Sequence, residues 1–156
     1  MTDWKEYLEA FSILIILLFI VTFIDIFLTQ ESDGYVYFEG GSFKVEISDT
    51  PRERSQGLSG REELVPESGM LFIFSRSDYH GIWMKDMNFP IDILWIDETG
   101  IIVDIQKNIH PDTYPEVFKP RRPARFVLEI PSGAVDNSEL HVGQRLDLSE
   151  VSEGDL

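Results

Sequence analysis

The chain has 156 residues, no cysteine and a formal net charge of −15. The lack of cysteine excludes disulfides, zinc–thiolate sites, iron–sulfur clusters and thiol nucleophiles. The charge argues against a nucleic-acid partner, because a phosphate backbone needs a net basic face. The charge either keeps the protein soluble or indicates a salt-rich host, where screening reduces the self-repulsion; the salt-rich host is favoured.

The first predicted element is an apolar run at residues 8–28. Between Ala10 and Ile24 it holds no charged residue, and about 20 apolar residues let a helix cross the hydrocarbon core. Asp25 fits at an interface, where a carboxylate costs less than at the bilayer centre. The alternative is a cleaved signal peptide, which needs a basic start and a small-residue cleavage site. Residues 1–9 hold one Lys and three acids, and no A-x-A motif follows, so a retained anchor is favoured.

The apolar run predicts five parts of the chain. They are a cytoplasmic N-terminus at 1–7, a transmembrane anchor at 8–28, a linker at 29–34, an exported β domain at 35–148 and an acidic tail at 149–156. Lys5 precedes the run, and the next base is Lys44. Because Lys and Arg near a span favour the cytoplasmic side, we expect the C-terminal domain outside. The predicted location is the cell membrane, with residues 8–28 in the lipid bilayer as a single pass.

Short apolar runs separated by turn residues predict a mainly β domain. Strands are predicted at 35–39, 43–47, 70–74, 82–87, 91–97, 101–107, 125–130 and 145–148. Alternation places Phe43, Val45 and Ile47 on one face of the second strand, and the strand 91–97 is apolar on both faces, which predicts a central position. Thr50, Pro51 and Glu53 predict the start of a short helix that Gly57 ends. A second short helix is predicted at 134–140, and the prolines of 108–124 predict a loop. A β-sandwich or a partly closed barrel would bury such strands.

Six sequence blocks follow one another along the domain. They are Arg54-x-x-Gly57-Leu58-x-x-Arg61, Gly69-Met70-Leu71-Phe72-x-Phe74, Trp83-Met84-Lys85-x-Met87-x-x-Pro90-Ile91-Asp92-Ile93, Gly100-x-Ile102-Val103, Val127-Leu128-Glu129-x-Pro131-x-Gly133, and Gly143. Their order and spacing resemble the domain-of-unknown-function family 192, an uncharacterised ancient conserved region, over about residues 43–148. The resemblance implies a β-rich, jelly-roll-like fold preceded by a signal peptide or anchor. It implies no activity, cofactor or catalytic residue.

The segment 83–88 holds the densest unusual chemistry of the domain. A cleft bounded by Trp83, Lys85, Asp92 and Arg54 would suit a small polar ligand, with the indole ring supplying contact area. The alternative is that Trp83 belongs to the core and Lys85 pairs with Asp92 or Glu129.

Arg54 and Arg61 flank the Gly57-Leu58 pair. Their guanidinium groups can clamp a carboxylate or phosphate, or one of them can pair with a buried Asp92 or Glu129. The candidate binding residues are therefore Arg54, Arg61, Trp83, Lys85, Asp92 and Glu129.

A proline-rich basic segment supplies a candidate surface contact. Its bases are Lys119, Arg121, Arg122 and Arg125. They would contact anionic headgroups or an acidic wall polymer; alternatively, they neutralise the acidic surface locally.

Other chemistry is weakly indicated. Carboxylates for acid–base work would come from Asp86, Asp92, Asp97 or Glu129, but no catalytic residue is assigned. His80, His110 and His141 lack ligand spacing, so no metal is predicted, and no cofactor motif is present.

The expected function is that of a membrane-anchored extracytoplasmic domain that binds a small polar ligand or a surface partner. One alternative is a hydrolase that uses carboxylates, although an enzyme is not favoured. Another is a structural accessory that docks a membrane protein.

Overall fold

The computed structural model describes residues 4–28 and 33–151, and within the first range the side chains of residues 4, 7–9 and 11–20. Parts of the predicted N-terminus (1–3), linker (29–32) and acidic tail (152–156) lie outside the described residues, as does the side chain of Asp25. The chain divides into two compact units, 1–31 and 32–156.

The first unit contains one helix, α1, at Trp4–Leu28. Its large apolar side chains between Phe11 and Ile20 are exposed, by 45% at Ile15 and 73% at Phe19. Among the described residues, no helix combines the length and the apolar character that crossing a membrane requires.

The described part of the second unit is built on one sheet of six strands. These are β1 (Asp33–Phe38), β2 (Gly41–Ser48), β3 (Ser68–Asp78), β4 (Ile91–Ile96), β5 (Ile102–Ile109) and β6 (Ala124–Pro131), in the order β1-β2-β3-β6-β4-β5. β2 and β3 are parallel, and the other neighbours are antiparallel. The mainly β prediction is confirmed, but the strands do not close into a barrel. The predicted linker ends too late, because Asp33 and Gly34 already belong to β1.

Side-chain alternation along the strands buries an apolar cluster on each face of the sheet. One face, called here the Leu128 face, includes Val45, Leu71, Leu94 and Leu128. The opposite face, called the Trp95 face, includes Met70, Phe72, Ile93, Trp95 and Val127. β4 is buried at every position because it lies between β5 and β6 with both faces covered, as its apolar sequence predicts.

Two short helices connect these strands. α2 covers Pro51–Gln56 and α3 covers Ala134–Asn137. The predicted capping box of α2 is present, since the Glu53 amide donates to Thr50 Oγ1 at 3.2 Å and the Thr50 amide donates to the Glu53 carboxylate at 3.1 Å. Gly57 ends α2 as predicted.

Two predicted strands are wrong. Residues 82–87 contribute only an isolated bridge between Ile82 and Phe118, and residues 145–148 only isolated bridges from Arg145 and Asp147. Ile82 and Met84 are buried in the cluster on the Trp95 face, whereas Trp83 between them is exposed. The alternation of segment 82–87 therefore reflects packing onto a sheet face, not strand pairing.

Candidate functional site

Glu129 is a buried acid near the middle of the sheet. It lies on β6 between Met70 of β3 and Ile93 of β4, so the strand register places it on the Trp95 face. The residue is 5% exposed, and Arg61 is the charged side chain that acts on its carboxylate. Burial raises the pKa of Glu129 to about 8, although the charge of Arg61 lowers it in part. The carboxyl group is therefore mostly protonated at pH 7.

Arg61 holds a different acid. Its guanidinium forms a bidentate salt bridge with Glu46. Glu46, Met70 and Glu129 follow one another across β2, β3 and β6, so the ion pair and the buried acid belong to one row of the sheet. Glu46 forms the ion pair with the Arg61 guanidinium, and the positive charge of Arg61 lowers the pKa of Glu129.

A narrow pocket opens beside Glu129. Its volume is about 50 Å³, enough for a few water molecules or a group of a few heavy atoms. Its lining combines apolar side chains, from Leu58, Phe72, Ile82, Met87 and Ile91, with polar ones from Arg54, Ser55, Gln56, Ser59 and Glu129. We call this cavity the Glu129 pocket.

Gly57 keeps the chain close to the pocket wall. Its φ is +50°, and a Cβ atom there would lie 3.3 Å from the Phe72 ring. Glycine suits both conditions, because it adopts positive φ without steric cost and has no Cβ atom that would approach the ring.

Trp83 also lines the Glu129 pocket and is 49% exposed. Its ring meets Tyr114 edge to face, with 6.2 Å between the ring centroids. Tyr114 is itself half exposed. Trp83 therefore does not belong to the core and offers flat apolar area to solvent beside the pocket.

Arg54 fastens α2 to the sheet. Its Nη1 donates to the carbonyl oxygens of Asp49 and Ile73, the latter at 2.8 Å. The guanidinium also lies 5.1 Å from the centroid of the Phe74 ring. Arg54 thus lines the Glu129 pocket while its position is set by backbone carbonyl groups, a partner that the sequence did not indicate.

Lys85 lies in a second, open groove of about 470 Å³, which we call the Lys85 groove. Ser59 Oγ donates to the Lys85 carbonyl at 2.8 Å, and the Gly60 amide donates to the Asp86 carbonyl at 2.8 Å. These bonds join the segment after α2 to the turn at Lys85. The groove is lined by Arg52, Ser55, Gln56, Ser59, Lys85 and Asp86, and it shares its Ser55, Gln56 and Ser59 lining with the Glu129 pocket.

Asp92 does not belong to this site, which corrects the predicted cleft. It lies opposite Ile130, on the Leu128 face. Its carboxylate accepts hydrogen bonds from the backbone amides of Asn108 at 2.8 Å and Val135 at 3.0 Å. Asp92 therefore holds the loop after β5 and the start of α3 in place. It lies on the face of the sheet opposite Glu129, so it does not form a cleft with Trp83, Lys85 and Arg54.

Two of the four bases predicted to form a surface contact, Arg121 and Arg125, form contacts within the domain. Arg121 binds the fully buried Asp104 through its side chain, at 2.8 Å from Nη2, and through its backbone amide, also at 2.8 Å. Burial would raise the pKa of Asp104, but the hydrogen bonds from Arg121 and from the Ile105 amide outweigh it and leave that pKa below its usual value.

Arg125 is also engaged, since its guanidinium lies over the Phe126 ring and donates to the Phe74 carbonyl. Lys119 and Arg122 remain exposed. Sequence reasoning missed Asp104, although an acid within the apolar run 101–105 was the available signal.

The predicted acids do not converge on one pocket. Glu129 lines the Glu129 pocket, Asp86 lines the Lys85 groove, and Asp92 lies on the other face of the sheet. Asp97 closes the turn between β4 and β5 by accepting from Thr99 and Ile101. Within the described ranges, no group of three or more His, Asp or Glu residues could hold a metal ion.

The fold and this site define a small, mainly β domain with a buried acid beside a narrow surface pocket. The chain belongs to the DUF192 family, described as an uncharacterized ACR, whose model matches residues 35–148. The UPF0127 protein PF1050 of Pyrococcus furiosus is 23% identical over 120 residues, which cover 72% of this chain and 95% of that protein.

Two solved structures share the fold. A candidate transcription regulator from Sinorhizobium meliloti has a TM-score of 0.71 and 31% identity, covering 75% of this chain and 94% of that one. A protein of unknown function from Novosphingobium aromaticivorans has a TM-score of 0.68 and 26% identity, covering 75% of this chain and 84% of that one.

Proposed function

We propose that the Glu129 pocket binds a small neutral polar group, a hydroxyl or a carboxamide, of a ligand. The observation that carries this proposal is the Glu129 carboxyl group, a buried acid that lines the pocket and whose pKa burial raises to about 8. A protonated carboxyl group donates one hydrogen bond and accepts others. A hydroxyl or carboxamide group of a ligand can pair with it in both directions.

The charge state of the pocket favours a neutral group. With a pKa of about 8, Glu129 is protonated at neutral pH and offers one donor together with acceptor oxygens. Arg54 lines the same pocket, and the charge of Arg61 acts on Glu129. These two guanidinium groups disfavour a cationic ligand.

The experiment is an NMR titration of the full chain with acetamide and with glycerol. We expect both probes to shift the amide signals of Gly57 and Leu58 and the indole N–H signal of Trp83. Glu129→Gln keeps a donor and an acceptor and should retain the response, whereas Glu129→Met fills a similar volume without polar atoms and should abolish it.

Glu139→Gln is the matched control, because it makes the same chemical change at an exposed position outside the Glu129 pocket. The proposal fails if neither probe shifts the pocket signals, or if Glu129→Met responds like the unmodified chain.

We also propose that residues 8–28 attach the domain to a membrane and leave it on the outer side. The support is the uncharged run from Ala10 to Ile24 and the exposure of the large apolar side chains of α1. The hydropathy of the described helices gives this proposal no further support. The chain should stay with membranes through alkaline carbonate washing, and protease added to intact cells should digest the domain. Recovery of the uncut chain from the aqueous fraction would refute the attachment.

DNA binding is not part of this proposal. The description of the Sinorhizobium meliloti protein suggests gene regulation, but the net charge of −15 opposes contact with a phosphate backbone.

The salt-rich host remains a prediction from the same charge. Retention of the circular dichroism spectrum at low ionic strength would count against it.

A further inference from the structure

The Lys85 groove presents two cations to solvent. Arg52 and Lys85 are both exposed, and within the described residues neither forms an ion pair. The chain has 28 acids and only 13 bases, so a groove lined by two bases and one acid departs from its overall charge. Asp86 is the acid in the same groove, which leaves the lining with one net positive charge.

The groove is continuous with the Glu129 pocket through their shared serine and glutamine lining. The pocket, at about 50 Å³, takes only the head of a ligand, whereas the groove, at about 470 Å³, has room for the rest. Trp83 lines the pocket and leaves about half its surface in solvent. A flat ring surface of this kind is suited to contact with the C–H face of a saturated ring.

We propose that the ligand is an acidic sugar, with a hydroxyl group at Glu129, its ring against Trp83 and its anionic group between Arg52 and Lys85. This inference rests on the proposed function of the Glu129 pocket and adds the anion. Carboxylate binding by a guanidinium and an ammonium group is charge-assisted and stronger than a neutral hydrogen bond. Ser55 and Ser59 supply hydroxyl groups for the remaining sugar oxygens.

The experiment compares glucuronate with glucose on the full chain by NMR titration. The two sugars differ only in the carboxylate that replaces one hydroxymethyl group. Glucuronate should bind more tightly, by about tenfold if each exposed cation contributes about threefold. Arg52→Gln and Lys85→Gln should each reduce glucuronate affinity by about threefold and leave glucose affinity unchanged.

Two further variants control for overall charge. Lys119→Gln removes one exposed positive charge outside the Lys85 groove and should leave the preference for glucuronate unchanged. Asp86→Asn removes the acid of the groove and should strengthen glucuronate binding.

The outcomes separate the two proposals. If glucose and glucuronate bind equally, or if Lys119→Gln matches Lys85→Gln, the acidic sugar is refuted and the neutral pocket stands. If neither sugar, nor acetamide nor glycerol, shifts the pocket signals, both proposals fail.

Discussion

The Glu129 carboxyl group should make the protein less stable as the pH rises. Its pKa in the folded chain is raised from 4.5 to about 8 by burial. Between these values the folded state holds a proton that the unfolded state has lost. Stability therefore falls as the pH increases from about 4.5 to about 8 and becomes independent of this group above that range.

The magnitude follows from proton linkage. One proton bound only in the folded state changes the free energy of unfolding by about 1 kcal/mol per pH unit, so the whole range amounts to several kcal/mol. Solvent screening reduces it little, because Glu129 is only 5% exposed. Glu129→Gln removes this dependence, so the variant should match the unmodified chain near pH 4.5 and exceed its stability at pH 8.

The assay is urea unfolding of both chains at several pH values, with Glu139→Gln as the exposed control. Other titrating groups contribute equally to both proteins, so the difference between their free energies of unfolding isolates Glu129. The reasoning is refuted if the two stability curves run parallel, or if a carbon-13 NMR titration of the Glu129 carboxyl group has its midpoint near 4.5.

Two substitutions test the packing around the site, both by urea unfolding. Asp104→Asn weakens the contact with Arg121 and should cost about 1–3 kcal/mol at pH 7. Because the folded pKa of Asp104 is lowered, this penalty should shrink as the pH falls below about 4; a pH-independent penalty would contradict the ion pair. Gly69→Ala should cost about 1–3 kcal/mol, because its Cβ would lie 2.5 Å from the Glu129 carbonyl oxygen. If Gly69→Ala leaves the free energy of unfolding unchanged, β3 and β6 can separate at this position.

Local signals in the sequence determined several elements. The capping box at Thr50 and Glu53 depends on residues three apart, so it could be predicted without tertiary contacts. The doubly apolar run 91–96 indicated a central strand, because a strand covered on both faces has no polar side. Period-two alternation also predicted which residues of β2 face the core.

Only the tertiary structure determines which of the predicted acids line the Glu129 pocket. Alternation orders the side chains within a strand, but the register between strands sets which positions share a face. Glu129 therefore lies in a row with Met70 and Ile93, whereas Asp92 lies opposite Ile130 on the other face. From sequence the two acids had looked interchangeable.

Partner choice between distant segments was equally hidden from the sequence. Arg61 binds Glu46, whereas the acids predicted as its partners were Asp92 and Glu129. Arg121 binds Asp104, although the sequence indicated no partner acid for it. Composition and short motifs determined the acidic charge, the apolar run and six of the eight predicted strands, since those depend on neighbouring residues. The pocket depends on how β3, β4, β6 and the segments over them are brought together, and only the folded chain brings them together.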